Sequence, residues 1–279
     1  MTNPKDRTMH SCAPTDLRGA APNETIRVLL ERRSIRAFSP DPIDPASVQS
    51  LESAAQHAAT SRYFNEWSAI RVTDPKIAQA IAQEAGQDYI VQAPLLYIFL
   101  ADQRRNADLV AAENPDADMD ADSFNLNSSY VFLQSENDAV LALHAMETAA
   151  YSLGLGCVIL GSVLNDPDEL IELLQLPKLV YPVLGLAIGK PAQGPALKPR
   201  MPRPAQIFEN SYRRPSEDEI GEALSDFDET VFRYYRDIRH MDAPRKTFRQ
   251  IIADKAFGQE NAHHPMAPSI ERQGFDWTR

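Results

Sequence analysis

Residues 135–153 are apolar almost all the way round: Val140, Leu141, Leu143, Met146, Ala149 and Leu153 leave no continuous polar stripe at helical spacing. A helix without a polar face has to be covered on every side. This segment therefore lies either at the centre of the fold or in a subunit interface, and the rest of the chain must be arranged around it.

The surrounding pattern mixes helix and strand signals. Asn23 caps a short helix carrying Ile26, Leu29 and Leu30, and Asp44 followed by Pro45 opens a second whose Val48, Leu51, Ala55 and Ala58 recur at helical spacing. Residues 68–73 alternate as a half-buried strand, and Asp74 with Pro75 opens a helix with Ile77 and Ile81 inward, stopped by Gly86. The run 94–101 reads as a fully buried strand, 157–160 as another and 183–188 as a last core strand, with Asp166 and Pro167 capping a helix between them. Ser216 and Glu219 form a capping box before a helix whose Ile220, Leu224, Phe227, Val231 and Tyr235 face inward, and Phe248, Ile251 and Ile252 mark one final helix. Irregular alternation of this kind predicts an α+β domain around one sheet.

At 279 residues the chain needs no covalent staples, since a globule of that size buries roughly 75% of the surface its unfolded chain exposes. Cys12 and Cys157 are the only cysteines, and their spacing suits free thiols in a reducing compartment. Residues 1–22 lack the apolar core of a secretory signal and are expected to be a flexible leader. No apolar run approaches the ~20 residues that span a bilayer, so a cytoplasmic protein is expected, with 23–279 as one domain. A net charge of −11 offers neither nucleic acid nor an anionic membrane a basic field.

Several familiar motifs fail. Gly154 and Gly156 hint at a dinucleotide fingerprint, but position 159 is isoleucine and a strand follows instead of a helix. Asp116, Asp118, Asp120 and Asp122 imitate a calcium loop, yet Ala121 stands where glycine is needed and Asn127 where a bidentate glutamate belongs. The histidines have no zinc spacing, no GxSxG elbow occurs, and neither cysteine sits where a thiol would be activated.

Against the acidic background, cations gather in knots: Arg32, Arg33 and Arg36; then Lys198, Arg200 and Arg203; then Arg239 and Arg245. Isolated cationic spots suit a small anionic ligand better than a polyanion. Arg32, Arg33 and Ser34 bring several N–H and O–H donors together within three residues, as a phosphate dianion requires, and each charge-assisted bond contributes roughly 1.5–3 kcal/mol when desolvated.

The run RRSIRAF at 32–38 resembles the FMN-binding opening of the nitroreductase superfamily. Residues 59–65 ahead of 70–74 resemble the second motif of its NADPH-dependent flavin reductase and oxygen-insensitive nitroreductase branch. So do Gly86 and Gln87 before 92–94, then 153–156 leading to Gly161, then 181–191 with 197–202 and 209–212. The order and spacing hold from about 24 to 257.

The resemblance implies a nitroreductase-like fold with a central, mainly antiparallel sheet flanked by helices, an intertwined homodimer, and a C-terminal helical extension over about 213–279. It implies that Arg32, Arg33 and Ser34, with Lys198 and Arg200, grip the FMN phosphate and ribityl chain, and that Arg36 lies near the N1 and C2 carbonyl edge of the ring. Gln87 and the Gly161 amide would meet the polar edge of the ring, Ser162 would lie beside it, and Thr60, Ser61 and Asn65 would line the site from either chain. Arg239 and Arg245 would contact the NADPH phosphate. The implied reaction is ping-pong hydride transfer through FMN N5 to nitroaromatic, quinone or flavin acceptors, with no catalytic side chain. The other readings are a flavin store or sensor without turnover, and an arginine-lined phosphate-binding module without flavin.

This chain departs from the branch at Arg32, where histidine is common, at Asn65 for glutamine, at Ile159 and Ser162 beside the ring, and at Pro244 in the loop that carries the NADPH arginines. The acidic loop 103–134 is also longer than usual in the branch.

Overall fold

Aspartate carboxylates start three of the helices, as their sequence signals predict. The computed structural model describes residues 23–119, 121, 123–238, 247–257 and 265–279. In it α2 (Pro45–Gln56), α3 (Pro75–Glu84) and α6 (Pro167–Leu173) each begin with proline behind an aspartate whose side chain accepts backbone N–H groups of the first turn. The first-turn N–H groups have no intrahelical acceptor, so the aspartate supplies one where proline removes a donor that would be wasted. Asn23 does the same for α1 (Glu24–Glu31), accepting from the Ile26 N–H at 3.0 Å.

By its contacts the chain divides into two compact units. Of the described residues, one unit takes 23–31 and 196–257 and the other 32–195 and 265–279. The first holds α1, α7 (Glu217–Arg233) and α8 (Phe248–Phe257). The capping box is present at Ser216 and Glu219, and Phe227, Asp228 and Val231 form the buried side of α7. Two residues expected inward are not: Ile220 is exposed, and Tyr234 is buried in place of Tyr235. A π-helical turn over Tyr234–Ile238 follows α7 directly, and its wider turn shifts the register of the inward face.

The second unit contains β1 (Trp67–Arg71), β2 (Leu95–Asp102), β3 (Gly156–Leu160) and β4 (Val180–Gly189), in the order β1-β2-β4-β3 with every neighbouring pair antiparallel. All eight residues of β2 are buried. The two faces of β2 explain why its sequence does not alternate. Leu95, Tyr97, Phe99 and Ala101 join a core with α2 and α5 (Ser129–Ser152), whereas Leu96, Ile98 and Leu100 join another with α3 and α6. Helices cover both faces of the sheet, so both sides of the strand must be apolar.

Several expectations need correcting. Residues 103–134 are not one loop: α4 occupies Arg104–Glu113, and α5 begins at Ser129 because Ser128 caps it, its hydroxyl accepting from the Val131 N–H. Phe248, Ile251 and Ile252 do not mark the final helix: α9 (Met266–Arg272) follows, within the span expected to be helical; it is short, and Ser269 and Ile270 are its buried residues. The long apolar α5 is covered by the sheet and α2 on most of its surface, yet Tyr130, Leu133, Val140 and Leu141 remain exposed along one side.

Candidate functional site

The arginine-rich segment after α1 is held against the free edge of β3. Ser34 bridges Cys157 in parallel, and the Ile35 N–H donates to the Cys157 carbonyl at 3.0 Å. Farther on, the Ser39 N–H donates to Lys190 O at 2.9 Å and the Ala192 N–H to Ala37 O at 2.9 Å. Ile35 and Phe38 anchor the segment inward. Because extended residues alternate sides, burying Ile35 leaves Arg36 exposed and Ser34 half-buried.

Two glycines make this approach possible. A Cβ on Gly156 would lie 2.6 Å from Ile35 Cγ1, and one on Gly189 would lie 2.7 Å from Pro94 Cδ and 2.8 Å from Phe38 Cδ1. The sequence motifs around these glycines are thus explained by packing: each removes a side chain where the arginine-bearing segment crosses the sheet edge.

Helix α5 fastens the same segment from behind. The Tyr151 hydroxyl donates to Arg33 O at 2.7 Å and to Cys157 O at 3.1 Å. Arg32 Nη2 donates to the buried carboxylate of Glu147 at 2.6 Å, and Arg33 Nη1 donates to Pro195 O at 3.1 Å. Burial pushes the Cys157 thiol up to about 12, which makes it a core residue and not a nucleophile. Two polar atoms among these residues are buried without a hydrogen-bond partner among the described residues: Arg32 Nε and Ser162 Oγ. Ser162 lies in the turn Gly161–Leu164 that leaves β3, and nothing lies within 4 Å of where a Gly161 Cβ would be.

A second group of expected site residues is set by the other half of α5. Asp138, itself buried, accepts from the Ser61 N–H at 2.8 Å and the Glu66 N–H at 3.1 Å. Between these anchors Arg62, Tyr63 and Asn65 have φ of 49°, 63° and 50°. Non-glycine residues are strained in that region and persist only where the surroundings hold them. The Asn65 N–H reaches Thr60 Oγ1 at 3.2 Å and its side-chain amide donates to Tyr63 O at 2.9 Å. Tyr63 is left almost wholly exposed, and the Arg62 guanidinium stands over the Phe64 and Tyr130 rings.

Glu66, at the end of this loop, is fully buried with neither carboxylate oxygen partnered among the described residues. Burial raises its pKa above the ordinary 4.5, and the Asp138 charge adds to the rise against the opposing pull of Gln103 and Arg62. A raised folded pKa means that the native state keeps a proton the unfolded chain releases. The stability this contributes is complete below the unfolded value and is lost as pH rises through the folded one. Glu66→Gln, a neutral mimic of the protonated acid, is expected to flatten that loss and to gain about 1–2 kcal/mol above it. Urea unfolding followed from pH about 5 to 8 checks this; equal slopes for both proteins would show that Glu66 does not keep its proton.

The structure thus gathers Arg32, Arg33, Ser34 and Arg36 on the edge of β3, places Gly161 and Ser162 at the end of the same strand, and fixes Thr60, Ser61 and Asn65 through Asp138. Gln87 opens a short 3-10 turn after α3 and its side-chain oxygen accepts from the Tyr89 hydroxyl. Lys198 and Arg200 belong to the other unit, where Arg200 Nη1 donates to Lys198 O at 3.0 Å. Arg239 and Arg245, expected at the NADPH phosphate, lie outside the described residues. Sequence reasoning passed over Asp138, Glu147 and Tyr151. The signal was present: acids inside a largely apolar helix that must be covered have to be buried with partners, and of its three acids Asp138 and Glu147 are buried.

Comparisons with known proteins agree over most of the chain. The Nitroreductase family profile matches residues 29–190, and that of the Nitroreductase family C-terminal domain matches 198–278. The chain is 34% identical over 255 residues to a Bacillus subtilis protein named FMN reductase (NAD(P)H), covering 91% of this chain and 98% of that one. It is 34% identical over 212 residues to the oxygen-insensitive NADPH nitroreductase of Salmonella typhimurium, covering 76% of this chain and 82% of the other. The solved structure of the NADPH:FMN oxidoreductase from Vibrio harveyi, complexed with NAD+, superposes with a TM-score of 0.76 at 30% identity, covering 91% of this chain and 99% of that one.

Proposed function

The chain belongs to the nitroreductase family, and from that premise we propose that it is an FMN-dependent oxidoreductase that takes electrons from NADPH and reduces nitroaromatic, quinone or flavin acceptors. One observation carries the assignment of the cofactor site. Arg32 Nε is a buried donor with no acceptor among the described residues, on a guanidinium whose neighbouring Nη2 is held by Glu147. Leaving such a donor unmet costs about 1–3 kcal/mol, and a phosphate oxygen would satisfy it. The orphaned Ser162 hydroxyl and the open space over Gly161 fit a polar, flat group at the end of β3 in the same way.

FMN, when bound, supplies the hydride-accepting and hydride-donating chemistry; the protein supplies binding, orientation and electrostatics. Arg32, Arg33 and Ser34 would hold its phosphate and ribityl chain. Arg36, whose guanidinium is exposed on the opposite side of the strand from Ile35, would place positive charge at the polar edge of the ring, with Gln87, Gly161 and Ser162 as its other polar contacts. Thr60, Ser61 and Asn65 would border the acceptor, in a loop whose shape α5 sets through Asp138. Arg239 and Arg245 keep the NADPH role the resemblance assigns to them.

The exposed stripe of Tyr130, Leu133, Val140 and Leu141 supports a homodimer, since a second copy would finish the covering of α5. Among the described residues no helix is long and apolar enough to cross a membrane.

The purified protein is expected to be yellow and to sediment at twice the 31.1 kDa of one chain. Anaerobic NADPH is expected to bleach its visible absorbance, and an added quinone to restore it. Colour that NADPH cannot bleach would point to a flavin store, and colourless protein unable to take up FMN would overturn the flavin reading. Sedimentation as a monomer would remove the dimer.

A further inference from the structure

Glu147 is one of two acids buried on α5, and both of its oxygens are engaged. Oε1 accepts from Arg32 Nη2 at 2.6 Å, and Oε2 stands 3.1 Å from His144 Nδ1. The carboxylate therefore cannot rotate freely, and it tethers one corner of the guanidinium that it meets. One turn later on α5, the Tyr151 hydroxyl holds Arg33 O while its ring lies under the Arg32 guanidinium, 5.9 Å from centroid to Cζ. A single turn of α5 thus orients the side chain of the first arginine and the backbone of the second.

A guanidinium has five N–H donors in a rigid fork. Glu147 engages Nη2 and leaves Nε–H buried without an acceptor among the described residues. If arginine served only to neutralise Glu147, the donor would have no reason to be held away from water at a cost. Held there, it is already oriented before any ligand arrives, and the entropy of ordering a long side chain does not have to be met on binding.

We propose that Glu147 is a positioning residue that aims the Arg32 Nε–H at the phosphate of bound flavin mononucleotide, and so sets the preference of this protein for phosphorylated over unphosphorylated flavin. The inference rests on the reading of Arg32 as a phosphate ligand.

Dissociation constants for FMN and riboflavin, read from the quenching of flavin fluorescence, test both levels in the full-length protein. Glu147→Gln keeps the shape but removes the charge, and is expected to lower the ratio of FMN to riboflavin affinity about tenfold, mainly by weakening FMN. In an Arg32→Ala background the same substitution should have no further effect on the ratio. Equal weakening of both flavins, or an undiminished effect of Glu147→Gln in the Arg32→Ala background, overturns the positioning role while leaving Arg32 as a phosphate ligand. A wild-type protein that does not prefer FMN, or a ratio unmoved by Arg32→Ala, overturns the phosphate reading and the inference with it. Should Glu147→Gln fail to fold, Glu147→Asp keeps the charge one methylene short and is expected to lower the ratio about threefold; an unchanged ratio there would refute the proposal.

Discussion

Replacing Asp138 with alanine is expected to destabilise the protein by about 3–5 kcal/mol, because one carboxylate accepts two backbone N–H groups in a buried setting and each such charge-assisted bond contributes about 1.5–3 kcal/mol. The loss does not end there. Arg62, Tyr63 and Asn65 hold left-handed backbone conformations between the two anchored residues, and each of these costs on the order of 1–2 kcal/mol. Without the clamp the exposed contact of Arg62 with the Tyr130 ring is the remaining described side-chain hold of α5 on the loop, too weak to keep it in its strained form, so it relaxes. Two measurements follow. The denaturant midpoint should fall sharply, and trypsin should cut after Arg62 in folded Asp138→Ala protein far faster than in the wild type. Asp138→Asn keeps one good acceptor and is expected to lose about half as much. A midpoint unchanged in Asp138→Ala would sink the idea that this side chain determines the loop.

The second large effect is expected at Gly156. A methyl group there would stand 2.6 Å from Ile35 Cγ1 and 2.9 Å from Ile35 Cβ. Ile35 has little room to retreat, being buried and tied through its N–H to Cys157 O. Gly156→Ala therefore forces the segment away from β3, at about 1–3 kcal/mol for overpacking, and displaces Arg32, Arg33 and Ser34 with it. FMN affinity is expected to fall more than tenfold, roughly what a loss of 1.4 kcal/mol produces. Gly161 supplies the contrast. Nothing lies within 4 Å of a Cβ at that position, so Gly161→Ala should leave the melting temperature unchanged and still weaken FMN, since only the ligand would meet the added methyl group. Were Gly156→Ala to bind FMN like the wild type, the packing argument would fail. A stability loss in Gly161→Ala would make that glycine structural instead.

Much of this was readable from one sequence, and particular residues show why. Asp44, Asp74 and Asp166 each precede proline, and a helix start is a local event decided by a few adjacent residues. The unbroken apolar run of β2 likewise announces burial on both faces. By contrast, α4 buries only Ala107, leaves Leu109 and Val110 exposed and has no side-chain cap on its first turn, so there was no inward apolar face for periodicity to detect between Arg104 and Glu113. The short α9 packs Ile270 into a core most of whose members are distant in sequence, and no local pattern foretells such a contact.

The candidate site divides along the same line. The arginine cluster and Ser34 are properties of the chain as written, and they were enough to suggest a small anionic ligand. Which arginine atom is held ready, and by what, was decided only in three dimensions: Glu147 lies 115 residues from Arg32, and Asp138 lies 77 residues from Ser61. Local propensity acts over a few bonds, whereas buried charge must be met by whatever partner the fold brings near. The sequence by itself therefore determined the proline-marked helix starts and the buried strands. Folding alone determined that α5 holds both halves of the site, because only a completed core can exclude water from the acids that orient them.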